Sequence, residues 1–187
     1  MNTKTCPVQL AGGLDNSIRR WVQNPQKILK PFIKEGMTVL DVGCGPGFFS
    51  VEMAKMLNGT GKVIAADLQN GMLDMIRKKI EGTTLAQSIE LHQSDVECIG
   101  VAEKVDFILA FWMVHEVKTP KKFLAELAAI LKPNGLMFII EPKLHVSKKA
   151  FTVMLDTLKE HGLTVAESPK VFFSRAVVLR KCHRPDK

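Results

Sequence analysis

The stretch VLDVGCGPGFFSVEMAKML, Val39 to Leu57, constrains this chain more than any other. Its first part is apolar and β-branched, its middle carries Gly43, Gly45 and Gly47, and its last part has helical spacing. A strand that breaks into a glycine loop and then a helix seats a nucleotide-like ligand, because glycine lets backbone N–H groups approach it closely. Val39, Leu40 and Val42 run almost unbroken, as in a strand buried on both faces. Asp41 interrupts them. A buried carboxylate there is costly, so it is expected to meet backbone donors or a ligand amine.

The rest of the chain alternates short apolar runs with amphipathic ones. Strands are expected at 38–43, 62–67, 88–95, 105–111, 136–142, 163–168 and 175–181, with helices at 24–34, 47–58, 70–80, 119–131 and 147–161 and a weaker one near 97–103. In NGMLDMIRKKI, Asn70 is a plausible cap, and Leu73, Ile76 and Ile80 share a face. TPKKFLAELAAILKPNG enters a helix through Thr-Pro and is expected to leave it at Pro133 and Gly135. Such alternation implies βαβ units and a mainly parallel sheet covered on both faces. No helix separates the last two strands, so they are expected to pair antiparallel.

At 187 residues the chain suits one domain with a full core. We read 1–34 as an N-terminal helical cover and acceptor segment, 35–181 as the cofactor-binding core and 182–187 as a basic tail. The hydrophobic fraction of 46% and charged fraction of 24% are ordinary for a soluble globular protein, and no apolar run is long enough to span a membrane. No apolar signal segment opens the sequence, so a cytoplasmic location is expected. Cys6, Cys44, Cys98 and Cys182 are scattered without a CxxC pair, which points to free thiols. No histidines are paired at metal-ligand spacing, so no metal is expected. The net charge of +7 raises a nucleic-acid partner, but the basic residues are dispersed over helix faces and the tail, and no such partner is expected.

Spacing narrows the ligand. A dinucleotide loop places a small residue where this chain has Phe48, and a phosphate-binding loop needs a Gly-Lys-Ser/Thr that is missing. The second strand ends at Asp67, whose carboxylate suits a ribose diol; capping the next helix is the competing role. The pattern D-x-G-x-G-x-G resembles motif I of the class I S-adenosylmethionine-dependent methyltransferases. Further matches run from about residue 35 to 181: Asp67 in VIAADLQNGML, Asp95 in HQSDVECI, the fourth-strand segment VDFILAFWMVHEV and the turn LKPNGLMFIIEP. Together they are similar to the small ubiquinone/menaquinone-biosynthesis type of that family, also described as methyltransferase type 11.

The resemblance implies an α/β, Rossmann-like three-layer sandwich. Its seven-stranded, mostly parallel sheet has order 3-2-1-4-5-7-6, with strand 7 antiparallel. It implies S-adenosylmethionine as cofactor, S-adenosylhomocysteine as product and a small-molecule acceptor methylated by in-line displacement. Gly43, Gly45 and Gly47, with Asp41 behind them, would seat the methionine end; Asp67 and Leu68 the ribose; Asp95 and the backbone of Val96 the adenine; Phe111 would also touch the cofactor. Trp112 lines the acceptor pocket or packs in the core. Arg20 and Trp21, in the segment before the first strand, line that pocket or lie on a solvated helix.

Sulfonium methyl transfer requires alignment and exclusion of water, and a base only where the acceptor must lose a proton. His115 is the candidate base, with packing behind the site as its other role. Glu116 is its neighbour, and adjacent residues of a helix do not face the same way. Glu141 would hold an acceptor or pair with Lys143. Two other classes stay open: an RNA or protein methyltransferase, against which AFWM stands in place of an Asn/Asp-Pro-Pro-aromatic motif, and a non-methylating nucleotide binder on the same fold.

Overall fold

The computed structural model describes residues 23–182. Among them are strands β1 (Thr38–Val42), β2 (Lys62–Asp67), β3 (Ile89–Gln93), β4 (Val105–Phe111), β5 (Leu131–Pro142), β6 (Leu163–Glu167) and β7 (Ser174–Lys181). The helices are α1 (Pro25–Leu29), α2 (Ser50–Met56), α3 (Asn70–Ile80), α4 (Pro120–Ile130) and α5 (Lys148–Glu160). The strands form one sheet in the expected order, β3-β2-β1-β4-β5-β7-β6. The chain clusters into two compact units that divide between Ser94 and Asp95.

In the first unit, β1 pairs parallel with β2, Thr38 opposite Lys62, and β2 pairs parallel with β3, Val63 opposite Ile89. Only the first residue of β1 and of β2 is not buried. That is the cost-free arrangement for near-continuous apolar strands, whose side chains find cover on both faces. Helix α3 spans the residues expected of it and buries Met72, Leu73, Ile76 and Ile80. Each such side chain contributes about 1.5–3 kcal/mol when fully buried.

In the second unit, β4 and β5 run parallel, and β7 pairs antiparallel with both β5 and β6. The missing helix between the last two strands is what permits that reversal. Lys181 Nζ donates to the carbonyls of Ala128 and Leu131 at 2.6 and 2.8 Å and, longer, to Ala129 at 3.4 Å. A cation thus closes the orphan carbonyls at the end of α4. Burial, and then Lys104 nearby, lower the Lys181 pKa.

Several element boundaries differ from the sequence reading. The helix expected from residue 47 begins at Ser50, because Gly47 has φ 85°, outside right-handed helical space. Helix α4 ends at Ile130 rather than at Pro133, and the chain passes straight into β5. Pro133 disfavours helical geometry at the residue before it, so the stop falls earlier than the proline itself. Helix α1 has five residues in place of the eleven-residue span 24–34, then gives way to turns. Residues 97–103 form no helix. Short 3-10 turns at Thr84–Gln87 and Val114–Glu116 have no counterpart in the periodicity. Asn70 does not cap α3; it is the first helical residue, and Gln69 stands before it.

Candidate active site

The glycine loop follows β1 in the first unit. Gly43, Gly45 and Gly47 have φ values of 66°, 54° and 85°. A Cβ at Gly47 would lie 2.8 Å from Ile76 Cγ1 on α3, so this position excludes a side chain on both backbone and packing grounds. Gly43 N and Cys44 N both donate to Ala66 O, at 2.9 and 3.0 Å, which ties the loop to the end of β2. Phe48, the residue that breaks the dinucleotide pattern, is buried edge-on against Phe49 with ring centres 5.0 Å apart.

Two carboxylates organise this loop from below. Asp41 is buried and accepts a hydrogen bond from Ser50 Oγ at 2.5 Å. Asp67, also buried, accepts from Gly45 N at 2.9 Å through Oδ2 and from Gln69 N at 2.9 Å through Oδ1. Burial raises the Asp67 pKa, and the backbone N–H groups of Gln69, Gly45 and Leu68 oppose that rise. The carboxylate keeps lone-pair capacity beyond these backbone donors for a ligand hydroxyl. The Cys44 thiol is pushed well above its ordinary pKa by burial, then by the charges of Asp41 and Asp67. It stays protonated and offers no nucleophile.

In the second unit, Asp95 and Val96 are exposed on a loop without regular structure. Asp95 Oδ1 accepts from Glu97 N at 3.2 Å, and Asp95 N donates to Cys98 O at 3.0 Å. Glu126 of α4 grips the same loop with both oxygens, accepting from Ile99 N at 3.0 Å and Gly100 N at 2.8 Å. These bonds, with Gly100 at φ 71°, replace the helix expected there. Glu126 fixes the backbone of this loop, a contact that the sequence reading missed; only its acidic character on a helix was visible.

At the end of β4, Phe111 is buried and Trp112 is half-buried, with ring centres 5.3 Å apart. Trp112 has φ 56°, a conformation that costs a bulky residue about 1–2 kcal/mol. It is held there by Trp112 N donating to Ile140 O at 2.7 Å and by Nε1 donating to Ser174 Oγ at 3.0 Å. Backbone strain retained by such over-determination is typical of functional positions.

The 3-10 turn Val114–Glu116 then brings His115 to Glu141. His115 Nδ1 lies 2.6 Å from Glu141 Oε2, and Val114 N donates to Glu141 Oε1 at 3.0 Å. Glu141 is 0% exposed, so both oxygens of a fully buried carboxylate are engaged. Its side-chain partner is His115 and not Lys143. Beyond His115, His145 Nδ1 lies 3.4 Å from His115 Nε2, the rings 5.3 Å apart and edge-on. His145 was not singled out from sequence, because it comes 30 residues later on another loop. Glu116 is half-buried on the same turn, its N–H donating to Met113 O at 3.0 Å. Arg20 and Trp21 lie outside the described residues.

The chain matches a family model described as a methyltransferase domain over residues 39–135. It is 30% identical over 139 residues to a ubiquinone/menaquinone biosynthesis C-methyltransferase of Salmonella arizonae, covering 72% of this chain and 55% of that protein. It is 32% identical over 110 residues to a demethylmenaquinone methyltransferase of Lactobacillus johnsonii, covering 58% and 45% respectively. The chain thus spans about half the length of these curated relatives. Among solved structures it is similar to a SAM-dependent methyltransferase from Aquifex aeolicus, with TM-score 0.82, 32% identity and coverage of 94% of this chain and 99% of that one. Fold, glycine loop and relatives agree: the chain belongs to the methyltransferase-domain family, with S-adenosylmethionine as its cofactor.

Proposed function

We propose that this protein transfers the methyl group of S-adenosylmethionine to a small, largely apolar acceptor by direct in-line displacement. The observation that carries the donor half is the Asp67 carboxylate, buried at the end of β2 and bonded to Gly45 N of the glycine loop. In this reading Asp67 and Leu68 serve the ribose, the glycine loop with Asp41 serves the methionine end, Asp95 and Val96 serve the adenine, and Phe111 lies against the cofactor. The exposed side chain of Val96 supports an apolar contact for a base.

The acceptor half rests on the second unit. Trp112, half-buried and strained, is joined through Ser174 to Phe172, whose carbonyl accepts from Ser174 Oγ at 2.9 Å. Phe172, Phe173 and Leu144 are exposed apolar side chains, and Lys143 N donates to Phe173 O at 3.0 Å, which pins their two loops together. That surface suits an acceptor with an apolar ring. The relatives named for quinone biosynthesis support the same class. The linked groups Glu141, His115 and His145 suit an acceptor that must shed a proton, with Glu116 beside them.

Incubation with methyl-labelled S-adenosylmethionine and reduced naphthoquinone tests this reading. Label is expected in the methylated naphthohydroquinone, and S-adenosylhomocysteine in equal amount. Tight cofactor binding without transfer to any hydroxylated aromatic acceptor would overturn the acceptor class.

A further inference from the structure

The chain Glu141–His115–His145 fixes more than a base; it fixes which nitrogen is available. An ionised carboxylate only accepts, so the Glu141 contact at 2.6 Å places a proton on His115 Nδ1. In neutral His115, Nε2 is then an acceptor. It faces His145 Nδ1 at 3.4 Å, so the proton between the two rings belongs to His145. Both nitrogens of His115 are committed inside the protein. The lone pair left for an acceptor is on His145 Nε2, on an exposed residue beside exposed Leu144.

Resting on the methyl-transfer reading above, we propose that His145 Nε2, and not His115, takes the acceptor's proton. His115 and Glu141 are positioning residues that hold the His145 tautomer. In the step, the acceptor's O–H bond breaks and its proton passes to His145 Nε2. The oxygen forms a bond to the methyl carbon, the carbon–sulfur bond breaks, and its electron pair stays on sulfur. S-adenosylhomocysteine, the methylated acceptor and protonated His145 result, and His145 then releases its proton to water. The acceptor class is therefore an apolar ring bearing an ionisable hydroxyl.

Two measurements test it, and they fail separately. Nitrogen-15 NMR of the cofactor-free protein at pH 9 reads the tautomers directly. His145 is expected with its proton on Nδ1 and a bare Nε2, reverting to the Nε2–H form in His115→Phe. An Nε2–H tautomer of His145 in the wild-type chain would overturn the proposal. With reduced naphthoquinone as probe, His145→Ala is expected to lose about 100-fold or more in turnover. S-adenosylhomocysteine affinity should stay unchanged, and added imidazole should restore part of the rate, which a merely structural residue would not allow. Wild-type turnover in His145→Ala would sink the proposal. A wild-type chain that methylates no hydroxylated probe strikes the methyl-transfer reading instead, and the tautomer then decides the role of His145 on its own.

Discussion

Asp67 and Glu141 are both buried carboxylates at the ends of strands, yet they are held in different ways. Asp67 is gripped by backbone N–H groups, from Gln69 two residues on and from Gly45 in the glycine loop. Glu141 shares its oxygens between one backbone N–H and a side chain, His115, 26 residues away in the chain. A backbone-held carboxylate belongs to a seat that any sequence with the right glycines can build. A side-chain-held one needs a particular partner, and that partner in turn meets a third group, His145. The first arrangement fits the proposed cofactor seat; the second fits the proposed acceptor chemistry.

The comparison is broken most severely at Glu141. Glu141→Leu keeps the volume but leaves Val114 N–H and His115 without their acceptor, and is expected to cost about 3–5 kcal/mol in denaturant unfolding. Glu141→Gln, which keeps one acceptor, should cost clearly less. Equal, negligible losses in both would mean that the side-chain-built site adds nothing to the fold.

Next in size is Gly47→Ala. The positive φ and the approach to Ile76 together predict a loss of about 2–4 kcal/mol, read from the same unfolding curves. A near-neutral result would show that the loop relaxes freely, and that its backbone geometry does not define the seat.

These two sites also differ in how far the sequence reveals them. The antiparallel end of the sheet and the span of α3 follow from periodicity, because alternation of apolar runs reports burial directly, whereas the strand order is implied by the family resemblance alone. The glycine loop is visible for a similar reason: three glycines within five residues are a local signal with a local cause. The pairing of His115 with Glu141 rather than of Glu141 with Lys143 depends on how β4 and β5 align, Phe111 opposite Ile140, and no local pattern encodes that register. The Glu126 grip on Ile99 and Gly100 is hidden likewise, and it converts an apparent helix into a loop. Trp112 shows the same limit, since its left-handed backbone is imposed by Ile140 and Ser174 and contradicts the residue's own preference.

The smallest expected effect is the pH dependence of the Asp67 seat. Its folded pKa is raised above the ordinary value of 3.8 by burial. The folded chain therefore binds that proton more tightly than the unfolded chain. The group's contribution to stability is greatest in acid and declines as pH rises from about 3.8 through the folded pKa. Under the proposed ribose role, cofactor binding runs the other way, because hydroxyls would donate to the ionised form. Affinity should hold at neutral pH and fall as acid protonates Asp67.

Calorimetric titration of S-adenosylhomocysteine into wild-type protein and Asp67→Ala, at neutral pH, tests the central claim most directly. Saturable one-to-one binding is predicted for the wild type, weakened about 10- to 100-fold in the variant by loss of charge-assisted hydrogen bonds. No heat with the wild-type chain, or the same affinity in both, would contradict it.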